Sequence, residues 1–131
     1  MLGLDTNVLV RFLVRDHEAQ FERARRLIKR EVGAQEKVLI SLLVLLETEW
    51  VLRSRYGLAT AKIMDAISGL FDATELELED EPTIEELLCL WKNSDADFAD
   101  CLIGVRHRRL GCRATATFDA RAIKLPGFVA G

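Results

Sequence analysis

Acidic residues embedded in apolar stretches recur along the whole chain. Asp5 follows Met1-Leu2-Gly3-Leu4, Glu47 lies inside Leu42 to Trp50, Asp97 and Asp100 belong to Asp-Phe-Ala-Asp-Cys-Leu-Ile, and Asp119 follows Thr115-Ala116-Thr117-Phe118. A carboxylate on a core-facing stripe loses several kcal/mol of hydration unless a cation or hydrogen-bond donors compensate it. Two carboxylates ~5 Å apart repel by roughly 3 kcal/mol at an effective dielectric of ~20, so a converging set either protonates or recruits a divalent cation. Donors that are all oxygen select a hard ion, Mg²⁺ or Mn²⁺, over zinc. Thr6 and Asn7 beside Asp5, and Thr117 beside Asp119, are neutral groups able to orient a carboxylate or a bound water.

Each acid also has an ordinary structural explanation. Asp5, Asp97 and Asp119 are of a type that caps helices, and Glu47 could be a buried, protonated acid. The segment around Glu47 contains its own control: at i±3 and i±4 Glu47 meets Leu43, Val44, Trp50 and Val51, whereas Glu49 has Arg53 four residues on, the spacing of a surface ion pair. On that pattern Glu47 is expected on the apolar face and Glu49 at the surface. Asp97 and Asp100, three apart, share a face beside the packing stripe Phe98, Leu102 and Val105. Ser94 resembles a capping residue for that helix, and Gly104 leaves the neighbourhood of Asp100 open.

The elements that must position these groups alternate between strand and helix. Met1 to Leu4 is a short apolar run ending in Asp-Thr-Asn, a helix start, and Val8, Leu9, Phe12 and Leu13 follow at helical spacing. A second helix is predicted over Glu18 to Val32, a strand over Lys37 to Ile40, and a helix from Leu42 to Tyr56 capped by Ser41 and stopped by Gly57. Thr60 to Phe71 is amphipathic, Thr74 to Leu78 alternates like a strand, and Pro82 opens a helix reaching about Trp91. Asp97 to Leu110 is helical and closed by Gly111, Arg113 to Thr117 reads as a strand, and Phe128 to Ala130 is a final apolar piece. This order predicts an α/β fold with a mostly parallel sheet. In such sheets ligands sit beyond the carboxyl ends of the strands, where Asp5 and Asp119 are expected.

Composition bounds the rest. With 131 residues, 50% of them hydrophobic, and two prolines, one domain over residues 1–131 is expected. An acid at position five leaves no room for a signal peptide and no apolar run approaches a membrane span, so a soluble, cytoplasmic protein without a membrane partner is expected. Cys89, Cys101 and Cys112 have neither disulfide nor zinc spacing and read as small core residues; His17 and His107 read as surface residues. The net charge of −3 conceals two basic runs, Arg23 to Arg30 and Arg106 to Arg109. The first reads as a solvated helix face on which Glu22 pairs with Arg26, and the second is the better candidate for phosphate.

Leu4-Asp-Thr-Asn-Val-Leu-Val-Arg11, Glu47-Thr-Glu-Trp-Val-Leu52, Asp97-Phe-Ala-Asp-Cys-Leu-Ile103 and Thr117-Phe-Asp119, in that order and spacing, resemble the PIN domain, and in particular the VapC-type ribonuclease toxins of toxin-antitoxin pairs. The resemblance covers nearly the whole chain. It implies a three-layer α/β/α sandwich and a Mg²⁺- or Mn²⁺-dependent endoribonuclease leaving 5′-phosphate and 3′-hydroxyl ends. The family's acids map onto Asp5, Glu47, Asp100 and Asp119, with Asp97 an additional acid found in some members. Asp5 and Asp100 would hold the principal ion; Glu47 and Asp119 would complete its ligation or hold a second, and help deprotonate the attacking water. Arg11, Arg15, Arg106, Arg108 and Arg109 are candidates for steering an RNA backbone. A homodimer and a small antitoxin partner are implied as well. Against this stand a catalytically silent PIN-like RNA-binding or scaffold module, and a haloacid-dehalogenase-like phosphatase. The latter needs an acid where Asn7 stands.

Overall fold

Parallel strands cannot be joined by tight turns, and the first half of the chain solves this with two pairs of helices. In the computed structural model, which describes residues Met1–Gly131, the order is β1 (Leu2–Gly3), α1 (Thr6–Leu13), α2 (Glu18–Gly33), β2 (Val38–Ile40), α3 (Leu42–Ser54), α4 (Thr60–Leu70) and β3 (Leu76–Leu78). The three strands form one parallel sheet in the order β1-β2-β3, with Leu2 opposite Val38 and Val38 opposite Leu76. Val38 and Ile40 on the central strand are fully buried, as are Leu9, Leu45, Leu52, Ile63 and Ile67 on the helices. Each such aliphatic side chain contributes about 1.5–3 kcal/mol by leaving water.

Met1–Glu79 is one compact unit and Asp80–Gly131 a second. The second contains α5 (Glu81–Lys92), α6 (Phe98–Arg109), β4 (Thr115–Thr117), a 3₁₀ turn over Ala122–Lys124 and β5 (Phe128–Ala130), with β4 and β5 paired in parallel. Its core is the seam between α5 and α6. There Trp91 meets Phe98 edge-on, ring centroids 5.0 Å apart, and Cys101, Leu102 and Val105 continue the buried stripe of α6. The α/β class and its parallel strands are thus as expected. The pairing falls into a three-stranded and a two-stranded sheet. No helix is long and apolar enough to cross a membrane.

Helix starts follow the sequence closely, because short polar side chains satisfy the first free N–H groups. Asp5 Oδ1 accepts from the Val8 N–H at 3.1 Å, Ser41 Oγ from Val44 at 3.2 Å and Asp97 Oδ1 from Asp100 at 2.8 Å. Asp80, in the left-handed region at φ +59, caps α5 by accepting from both the N–H and the hydroxyl of Thr83.

Several local expectations are corrected. Ser94 is no cap: it lies before the helix and its hydroxyl contacts the Cys101 Sγ at 3.8 Å, while Asp97 does the capping. Gly104 does not open space around Asp100. A Cβ there would collide with the Phe128 ring, so this glycine admits β5 against α6. Glu22 pairs with Arg25, one step nearer than Arg26, at 3.0 Å. Cys89 and Cys112 are exposed and only Cys101 is buried. His107 is half-buried, its Nδ1 3.0 Å from the Thr115 Oγ1, tying α6 to β4. His17 is exposed as expected, but its ring caps α2, accepting from the Gln20 N–H.

Candidate active site

In the first unit, the turn after β1 delivers Asp5 to a cavity of about 590 Å³, lined also by Thr6, Asn7, Glu47, Trp50 and Arg55. Asp5 commits Oδ1 to the α1 cap and leaves Oδ2 without a protein partner. Glu47 makes no hydrogen bond or ion pair. The cavity therefore presents carboxylate oxygens that the fold does not use. Arg55, with its guanidinium 5.9 Å from the centre of the Trp50 ring, contributes a cation to the same wall.

Glu47 reaches this cavity by a route opposite to the one its neighbours suggested. It is exposed, and so are two of the apolar residues on its face, Leu43 at 78% and Trp50 at 49%. Glu49 is the buried acid, at 3% exposure, held by Arg53 Nε at 2.9 Å. The buried residues of α3 are Leu42, Leu45, Thr48, Glu49, Val51 and Leu52. Leu42 to Leu46 is aliphatic at every position, so apolar neighbours surround any acid in this helix and cannot tell which side faces the core. Thr48 lies on the buried side with its hydroxyl lacking any partner.

In the second unit, Asp97, Asp100 and Asp119 interact. Burial pushes the Asp100 carboxyl above the usual range, and the charges of Asp97 and then Asp119 push it the same way, while Arg121 opposes them. Asp119 is held below the usual range by the backbone N–H groups of Ala122 and Arg121, which donate to Oδ1 at 3.0 and 2.7 Å. Thr117 supports this turn differently from expectation. Its hydroxyl accepts from the Asp119 N–H at 3.0 Å, positioning the backbone and not the carboxylate. Phe118, between them, is 95% exposed.

Four of the five acids are thus not desolvated on core-facing stripes. Asp5, Glu47, Asp97 and Asp119 are exposed and Asp100 is half-buried. Neither unit by itself gathers three or more His, Cys, Asp or Glu side chains into a group that could hold a metal ion. The donor set nevertheless fits a hard cation in its chemistry. Every candidate ligand is a carboxylate, Asp5 and Asp97 spend Oδ1 on helix caps and Asp119 spends Oδ1 on its own turn, and Asp100 carries a repulsion that a cation would relieve.

The arginines proposed to steer RNA are occupied. Arg11 donates to Gln20, Asp16 and the Tyr56 hydroxyl, and Arg15 pairs with Glu18 and lies over the Phe21 ring. Arg106 approaches Asp80 at 3.9 Å, while Arg108 and Arg109 both pair with Glu86. Three arginines passed over in the sequence, Arg23, Arg26 and Arg30, have no such partner and line a separate cavity. Their spacing of three and four on one helix was the available signal.

The chain is 25% identical over 122 residues, 93% of its own length and 90% of the relative's, to a protein named VapC ribonuclease from Aquifex aeolicus (strain VF5). The PIN domain family profile matches residues 3–127, a span containing Asp5, Glu47, Asp97, Asp100 and Asp119, and the chain belongs to the PIN domain family.

Proposed function

We propose that this protein is a Mg²⁺- or Mn²⁺-dependent endoribonuclease acting as the toxin of a toxin-antitoxin pair. The observation that carries the reading is the PIN domain match over residues 3–127, supported by likeness to a VapC ribonuclease across nine-tenths of both chains. PIN-domain VapC nucleases generally use divalent metal ions, and a VapC relative implies an RNA substrate and an antitoxin partner in general. A homodimer and a cytoplasmic location complete the proposal.

Asp5, Glu47, Asp100 and Asp119 are the residues that would hold the ion, with Asp97 supporting Asp100 through the Asp97 cap on the Asp100 N–H. A bound divalent ion acidifies water and stabilises negative charge developing on a phosphate. Glu47, whose carboxylate has no protein partner, is suited to take the proton from the attacking water. Two backbone N–H groups donate to Asp119 Oδ1 and hold its carboxyl below the usual range, leaving Oδ2 for a cation.

The test is cleavage of a structured RNA by purified protein with Mg²⁺, with Mn²⁺ and with EDTA. Cutting is expected only with a metal present, and Asp5→Ala should abolish cutting while the folded protein still binds RNA. Cleavage indifferent to EDTA, or unchanged by Asp5→Ala, would defeat the reading. RNA bound but never cut by the wild type would favour a catalytically silent RNA-binding module.

A further inference from the structure

A cavity of the first unit, about 740 Å³, is lined by Asn7, Val8, Arg11, Gln20, Arg23, Ala24, Arg26, Leu27 and Arg30. Four arginines and no acidic residue line it, in a protein whose acids outnumber its basic residues by 21 to 18. Arg11 is fixed there by its bonds to Gln20, Asp16 and Tyr56. Arg23, Arg26 and Arg30 form no ion pair and no hydrogen bond within the protein. Glu22, whose charge senses Arg26, is itself engaged by Arg25 at 3.0 Å.

We infer that this cavity is a binding track for the phosphate backbone of a single-stranded RNA, with Arg23, Arg26 and Arg30 as its phosphate contacts and Arg11 as its fixed end. Residues three and seven positions along one helix lie in a column on one face, and at 1.5 Å per residue the column spans about 10 Å, roughly three nucleotides of rise along a strand. The guanidinium fork matches phosphate oxygens better than an ammonium does. Asn7 lines both this cavity and the one holding Asp5 and Glu47, so a strand lying on the arginines continues into the acids. The identification of the polyanion as RNA rests on the ribonuclease reading; the track itself rests on the unpaired charges.

The experiment measures binding apart from cleavage. A fluorescein-labelled single-stranded RNA oligonucleotide of mixed sequence is titrated with full-length protein in EDTA over a range of salt, by fluorescence anisotropy. The variants are Arg23→Gln/Arg26→Gln/Arg30→Gln, which alters only exposed side chains and keeps good helix formers, and Arg25→Gln as the control at a paired position. Loss of three phosphate contacts should reduce the slope of log affinity against log salt by about 2, at about 0.7 per contact for single strands. The control should leave it unchanged, and a triple lysine variant should restore it. An unchanged slope in the triple glutamine variant, or a wild type that does not bind RNA in EDTA, overturns the inference. Equal loss in the control overturns it too, since the effect would then be net charge. So does a triple variant that keeps its RNA affinity and instead loses an acidic protein partner. A wild type that binds RNA through these arginines yet never cuts it supports the track and sinks the nuclease reading; one that cuts RNA while the triple variant binds normally does the reverse.

Discussion

The two units deploy their acids in contrasting ways. In the first, Asp5 and Glu47 border an open cavity and the fold uses one of their four carboxylate oxygens, Asp5 Oδ1 in the α1 cap. In the second, Asp97, Asp100 and Asp119 feel one another, and the consequence is a carboxyl at Asp100 raised by burial and by the neighbouring charges. One unit leaves carboxylate oxygens open to the cavity; the other holds a repulsion at Asp100 that protonation or a cation relieves. An acid's place in the sequence is therefore a poor guide to its state, which depends on what tertiary structure brings beside it.

The largest effects should come from cutting into both halves of that contrast. Glu47→Gln and Asp100→Asn should each lower metal-dependent RNA cleavage by at least about 100-fold, the scale of a lost proton-transfer or ligand group. Loss in Asp100→Asn alone would assign the chemistry to the second unit and reduce Glu47 to a surface residue. The stabilities should differ in sign from an ordinary ligand loss. Because the folded-state pKa of Asp100 is raised, the stability linked to its proton is fully present below ~3.9 and lost as pH rises through the folded value. Wild-type protein is therefore penalised at neutral pH, and without metal Asp100→Asn should melt at the same temperature or higher. A clearly lower melting point would make Asp100 a structural acid.

The helix starts and the order of elements were legible because caps, glycines and alternation act locally, whereas Phe128 to Ala130 reads only as an apolar piece and is a strand. Ser41, Asp5 and Asp97 cap the helices they announce. What was illegible depends on distant partners or on faces without contrast. Nothing near Arg108 and Arg109 in sequence reveals that Glu86 neutralises both, and nothing near Arg23, Arg26 and Arg30 reveals that no acid does. On α3, apolar residues cover both faces, so the assignment of Glu47 inward and Glu49 outward is reversed. This reversal has an intermediate and measurable consequence. Glu49→Gln removes the charge from a buried acid bonded to Arg53 and should cost about 1–3 kcal/mol of stability, the penalty for leaving such a group poorly matched. It should leave metal-dependent cleavage per folded molecule intact. Glu47→Gln should do the opposite, and denaturant melts with activity assays on both variants check the pair. Equal stability of the two variants would return Glu49 to the surface.

The smallest effect concerns an acid of the second unit that belongs wholly to the fold. Asp80 is held below the usual carboxylate range chiefly by the Thr83 hydroxyl, with burial opposing, and then by the Thr83 N–H and the charges of Arg109 and Arg106. A depressed folded-state pKa adds stability that is present above the unfolded value of ~3.9 and disappears as pH falls through the folded one. Asp80→Ala should lose about 1 kcal/mol as a missing cap, and alanine also fits the left-handed backbone at φ +59 less well than aspartate. Asp80→Asn separates these terms, since asparagine caps helices and tolerates that backbone while carrying no charge. The stability gap between wild type and Asp80→Asn, followed by denaturant melts from pH 7 downward, should therefore stay flat to about pH 5 and close in stronger acid. The gap to Asp80→Ala should narrow but not close, because the strain at a left-handed alanine does not titrate. A gap to asparagine that persists in acid would show that Asp80 works through cap geometry alone and not through its charge.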